Sequence, residues 1–173
     1  ITVFFGAGSD IEVLSLAQYF CELAGEFSVS GEGSNELLRL ILNSLHFLTK
    51  EKRFPPLIKA ITELRVAVLS GYAPNLVACC DCGKFEDNIM YFTLDHGTLR
   101  CGECKTGGNS VAIDRTLLSA MRHIVYSKFS NLYSFNIPEE KAKMLADITG
   151  QYITMQTDHR FHTLEFYESI KEQ

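Results

Sequence analysis

Cys79-Cys80-Asp81-Cys82-Gly83, answered by Cys101-Gly102-Glu103-Cys104, is the stretch that decides the fold. Pairing Cys79 with Cys82 and Cys101 with Cys104 gives C-x2-C-x18-C-x2-C, the spacing of a structural zinc site holding one ion. Each pair sits on a tight turn that aims two sulfurs at one point, and four thiolates complete a tetrahedron. Gly83, directly after the second ligand, suits a turn that needs positive φ. Cys80 is left over as a spare thiol, because pairing it with Cys82 would leave a single residue between ligands. Between the pairs, Asn88 to Leu94 alternates as a strand does, His96-Gly97 supplies a turn, and Thr98 to Cys101 returns. The layout is a zinc ribbon, a β-hairpin with a cysteine pair at each end, over residues 76–108.

Iron in a rubredoxin-like site and a pair of disulfides share this spacing. Four protein sulfurs leave no open position for water, so a metal held here serves structure and not catalysis.

Outward from the cysteines the chain reads as helix. Ser9 or Asp10 caps a first helix to about Phe27, with Ile11, Leu14, Ala17, Cys21 and Ala24 on one stripe. Ser34 caps a second, carrying Leu37, Leu38, Ile41, Leu45 and Leu48. Pro55-Pro56 opens a third, which Gly71 ends. After the ribbon, Asp114 caps Arg115 to about Tyr126. Pro138-Glu139-Glu140 then opens the longest helix, to about Thr157, with Gly150 marking a close helix contact in its middle. Thr163 caps a last short one. The fold class is mainly α: a helical bundle with an inserted β-hairpin zinc ribbon.

The 173 residues are 46% hydrophobic with 12 Phe and no Trp, enough for one good core. No run reaches the roughly 18 apolar residues of a membrane span, and six cysteines with four assigned to metal fit a reducing cytoplasm. The formal charge of −5 argues against a protein that simply coats nucleic acid. Six acids and no Lys or Arg precede Arg39, whereas Lys50, Lys52, Arg53 and Lys59 form a basic cluster beyond it. That cluster is read either as a solvated helix end or as a phosphate contact. No Gly-rich phosphate loop, G-x-S-x-G or H-E-x-x-H occurs, so no enzyme is expected. His159 and His162, three apart, make at most a weak metal pair.

A family signal lies in particular residues. Glu63-Leu64-Arg65, then Gly71-Tyr72-Ala73-Pro74-Asn75-Leu76 leading into Cys79-x-x-Cys82-Gly83, resembles the C-terminal region of the bacterial RecO DNA repair family. Gly97-Thr98-Leu99-Arg100-Cys101-Gly102-Glu103-Cys104, Ile113 to Leu118 and His162 to Phe166 resemble it too. The resemblance runs from about residue 10 to about 170. It implies a helical domain at 10–173 interrupted by the ribbon, preceded in the family by an OB-fold of which residues 1–9 would be the exit linker. It further implies a recombination mediator that binds single- and double-stranded DNA, anneals strands, and works in the cytoplasm and nucleoid with RecR, RecF and the single-strand DNA-binding protein. In that reading Lys50, Lys52, Arg53, Lys59, Arg65 and Arg100 carry whatever DNA contact this region makes. The alternative from another class is a zinc-stabilised protein-interaction module with no nucleic-acid role.

Overall fold

Asp10 begins the first helix, α1 (Ile11–Glu26), by accepting the Glu12 N–H at 3.0 Å. The computed structural model describes residues 10–28, 33–105 and 107–171. Ser9, the expected linker over residues 1–9 and the Ser34 side chain lie outside what is described. The buried face of α1 is Leu16, Tyr19, Phe20 and Leu23, whereas Ile11 is 58% exposed and Leu14 and Cys21 are exposed as well. This corrects the expected stripe at Ile11, Leu14 and Cys21, while Ala17 is buried and Ala24 packs against the core as expected. Two apolar faces compete on α1, and the one with two aromatic rings buries more area per turn.

Helix α2 (Gly33–Thr49) buries Leu37, Ile41, Leu45 and Leu48 as read, and leaves Leu38 exposed. Helix α3 (Pro55–Leu69) has proline in its first turn and is followed by Gly71 at φ +88°. It is buried nearly all round, and even Lys59, Thr62 and Glu63 are hidden. Such a helix belongs at the centre of a bundle, and α1 and α2 pack against it.

The chain then builds a four-stranded sheet from β1 (Asn75–Cys79), β2 (Ile89–Thr93), β3 (Thr98–Cys101) and β4 (Ser110–Asp114), in the order β1-β3-β2-β4. The expected hairpin is the antiparallel β2–β3 pair, in which Tyr91 faces Arg100. A hairpin alone is too small a description, because β4 pairs antiparallel with β2 and β1 pairs parallel with β3. Both added strands are five residues long, next to a cysteine turn or a glycine loop, with too short an alternation to stand out.

Asp114 caps α4 (Arg115–Tyr126) by accepting the Leu117 N–H at 2.9 Å, and Leu117, Leu118, Met121, Ile124 and Val125 form its buried face. After a 3-10 turn at Phe129–Asn131 come α5 (Glu139–Thr157) and α6 (His162–Lys171). Both α4 and α5 pack against α3, and α6 packs against α1. The cap of α6 is not Thr163 but Glu22 of α1, whose carboxylate accepts from both the Thr163 N–H (3.0 Å) and its hydroxyl.

The inner face of the sheet, Met90, Phe92, Leu99 and Ile113, joins one continuous core with the helices. Phe92 packs on Tyr152 with ring centroids 5.3 Å apart, and Gln156 donates to the Leu94 carbonyl at 2.8 Å. A Cβ on Gly97, in the β2–β3 turn, would come within 2.6 Å of the Tyr152 hydroxyl, so this turn lies flat on α5. Among the described residues no helix is long and apolar enough to cross a membrane.

Candidate metal centre and the basic side chains

Because β1 and β3 run parallel as neighbours, Cys79 and Cys101 end adjacent strands on the same side of the sheet. Each strand passes into a tight turn that brings back a second cysteine. In one turn Gly83 takes φ +75° and its N–H donates to the Cys79 carbonyl at 3.0 Å; in the other the Cys104 N–H donates to the Cys101 carbonyl at 3.2 Å. The sulfurs of Cys79, Cys82, Cys101 and Cys104 all lie within 4.8 Å of one another, with 3.6 Å between Cys82 and Cys101. A tetrahedral ion with Zn–S near 2.3 Å needs sulfurs about 3.8 Å apart, so the quartet fits a metal with little adjustment.

The chemistry of the donors agrees with the geometry. Burial works against ionising Cys79, yet backbone N–H groups of Cys82, Cys101 and Asp81 aimed at its sulfur outweigh that and bring the thiol down to about 6. Hydrogen bonding to Cys82 and Cys101 pushes the Cys104 thiol up, as expected where one thiolate forms among thiols. Cys80 is exposed and stands outside the quartet. The quartet is the only group of three or more potential metal-ligating side chains among the described residues, and His159 instead lies 3.5 Å from Glu26.

Arg122, which sequence reading missed, ties this centre to the bundle. From α4 its guanidinium donates to the carbonyls of Leu76 (2.7 Å), Val77 (2.8 Å) and Phe85 (2.7 Å), and it lies 4.0 Å from the Phe85 ring centroid. Those carbonyls belong to β1 and to the loop after the first cysteine pair. An arginine on a predicted helix gives no sequence signal that separates this fastening from an ordinary surface charge.

The expected basic cluster is divided by the fold. Lys59 is 1% exposed, paired with Glu63 at 2.9 Å and donating to the Ala146 carbonyl at 2.8 Å, so its charge is spent inside the core. Arg53 is half-buried and donates to the carbonyls of Tyr133 and Phe135, and burial lowers its pKa. Arg65 donates to the Ile124 (3.1 Å) and Val125 (3.0 Å) carbonyls at the end of α4, a favourable place for a cation. Lys50 and Lys52 are exposed beyond the end of α2. Arg100 sits on the sheet, its Nε 2.8 Å from Asp81.

A helical bundle carrying a small sheet, with four cysteine sulfurs gathered where they could hold a metal ion, defines a class: a mainly α protein with a cysteine cluster at one end of its sheet. Within that class the chain belongs to the family described as the recombination protein O C-terminal region, whose family model matches residues 8–165. The DNA repair protein RecO of Acetivibrio thermocellus is 28% identical over 171 residues, which cover 98% of this chain and 68% of that protein. The DNA repair protein RecO of Caldicellulosiruptor bescii is 26% identical, covering 99% and 69%. That of Alkaliphilus metalliredigens is 25% identical, covering 97% and 69%.

Proposed function

We propose that this chain is the helical, zinc-binding region of a RecO-type recombination mediator, without enzymatic activity of its own. It would assist single-strand annealing and the loading of recombination proteins, docking RecR, RecF and the single-strand DNA-binding protein, in the cytoplasm with the nucleoid. The observation that carries this reading is the family match over residues 8–165, joined to the convergence of four cysteine sulfurs within 4.8 Å. Zinc is the favoured ion because four thiolates in a closed tetrahedral set match its chemistry. When bound it supplies cross-linking between the β1 and β3 turns; the chain's own residues do the rest.

Metal analysis combined with thiol titration tests the centre. One zinc per chain with two reactive thiols, the exposed Cys21 and Cys80, is the expected result; no metal and two disulfides would overturn it. A salt titration of DNA binding tests the role, since phosphate contacts make log K fall linearly with log salt.

A specific observation favours the second reading, a protein-interaction module without DNA contact. Three of the six basic side chains expected to face DNA, Arg53, Lys59 and Arg65, are engaged inside the fold. Complete absence of DNA binding at low salt, with RecR binding intact, would select it.

A further inference from the structure

The outward face of the sheet has a composition that neither the metal centre nor the bundle requires. Met90 and Phe92 of β2 point into the core, which turns Tyr91 and Thr93 outward. Tyr91 stands on a central strand with Arg100 opposite it on β3 and Ala112 opposite it on β4. The Lys105 ammonium lies over the Tyr91 ring, 4.1 Å from the centroid. Beside the ring is a notch of about 10 Å³, lined by Tyr91, Thr93, Arg100, Lys105 and Ser110 and by the glycines at 107 and 108. That is about the volume of one water or one phosphate oxygen. Thr93 lines the notch, and its hydroxyl is buried and has no hydrogen-bond partner among the described residues. A buried hydroxyl without a partner is costly and calls for an oxygen or nitrogen to fill the place beside it.

We propose that this face is a single-stranded DNA platform, in which a base stacks on Tyr91 and Lys105 swings from the ring to the adjoining phosphate. The inference rests on the nucleic-acid role proposed above and assigns it to a surface. An aromatic ring on a flat sheet, flanked by cations, offers what an unpaired base needs, because every base presents a π face only when it is out of a duplex. Lys105 rests on the ring in an exposed contact that is easily exchanged for a phosphate. Arg100, oriented by Asp81, forms the opposite wall. Asp81, paired with Arg100, weakens the local field, so stacking dominates and the salt dependence is shallow.

Fluorescence anisotropy of a labelled oligo-dT, with the intact chain, tests this. Tyr91→Leu is expected to weaken binding about tenfold or more, within the range measured for one stacked base. Tyr91→Phe keeps the ring and stays within about twofold of the parent. Lys105→Ala removes one phosphate contact and reduces the slope of log K against log salt by about 0.7. Equal weakening by Tyr91→Phe and Tyr91→Leu would overturn stacking. Unchanged binding in Tyr91→Leu and Lys105→Ala, with loss in Lys50→Ala/Lys52→Ala, would overturn the platform and keep the DNA role. No binding by the parent at low salt would overturn both. Circular dichroism and metal content confirm that each variant is folded.

Discussion

Lys59 and Glu63 lie four residues apart on α3, and everything around them is arranged to keep two charges dry. Glu63 also accepts from the Tyr19 hydroxyl at 2.8 Å and from the Thr149 hydroxyl at 2.6 Å, while Lys59 donates to the Ala146 carbonyl at 2.8 Å. Removing one partner strands the other, so Lys59→Met is expected to cost about 3–5 kcal/mol in urea unfolding. The double variant Lys59→Met/Glu63→Gln, which removes the stranded charge and keeps hydrogen-bonding groups, should recover part of that loss. Gly150 belongs to the same assembly, because a Cβ there would lie 2.8 Å from the Lys59 ammonium. Alanine is the better helix former by about 1 kcal/mol, yet the clash should make Gly150→Ala destabilising by about 1–3 kcal/mol. Sequence reading found Gly150 as a close contact because a glycine in mid-helix is conspicuous. It put Lys59 on the surface because a lysine near three other bases looks like a patch, and nothing in the local pattern marks a charge that a distant helix will cover.

Among elements, α6 is held by a carboxylate borrowed from α1. Glu22 is partly buried, which raises its pKa, but the Thr163 hydroxyl and the backbone N–H groups of Thr163 and His162 bond its charged form and leave it below the ordinary value of 4.5. A depressed folded pKa means that the contribution is whole above about 4.5 and is lost as pH falls through the folded value. Glu22→Gln should therefore cost about 1 kcal/mol at neutral pH, as capping losses do. The difference from the parent should close in acid, read by amide exchange along α6. Arg122 fastens the sheet to α4 in a comparable way, and Arg122→Ala should cost on the order of 2–3 kcal/mol for its charged hydrogen bonds. Lysine should not rescue it, since one ammonium cannot span three carbonyls and a ring face. Caps at Asp10 and Asp114 were legible because cap and helix adjoin in sequence. Glu22 and Thr163, 141 residues apart, carry no such mark. The first helix misled for another reason: its Ile11–Leu14–Cys21 stripe has helical spacing, and only the neighbours decide which apolar face they cover.

For the molecule as a whole, the cysteine centre and the bundle are expected to separate in energy although their core is continuous. The helices bury their own faces, and the sheet meets them chiefly along α4 and at Tyr152. Cys101→Ser, or a strong chelator, is expected to loosen the sheet while most of the helical circular dichroism remains. Full loss of helix on chelation would show that the metal holds the entire fold. The cysteine quartet was readable from spacing alone, and the motif from Gly71 to Gly83 carried the resemblance that the match over residues 8–165 bears out. Which cations face outward was not readable, because it depends on helices brought together across the chain.

The parallel pairing of β1 with β3 has a consequence for assembly and for solubility. The β2–β3 hairpin closes from adjacent residues, and β4 adds to it by simple antiparallel pairing. By contrast β1 pairs parallel with β3, and its register is irregular between Asn75 and Cys79. Parallel pairing is slightly weaker per residue, so β1 is the strand expected to leave first. Without the thiolate cross-link, β3 becomes a bare edge whose N–H and C=O groups are open to another chain. Metal starvation would then appear as self-association. Chelated protein should scatter light increasingly with concentration, and restored metal should reverse it as β1 returns to cover that edge.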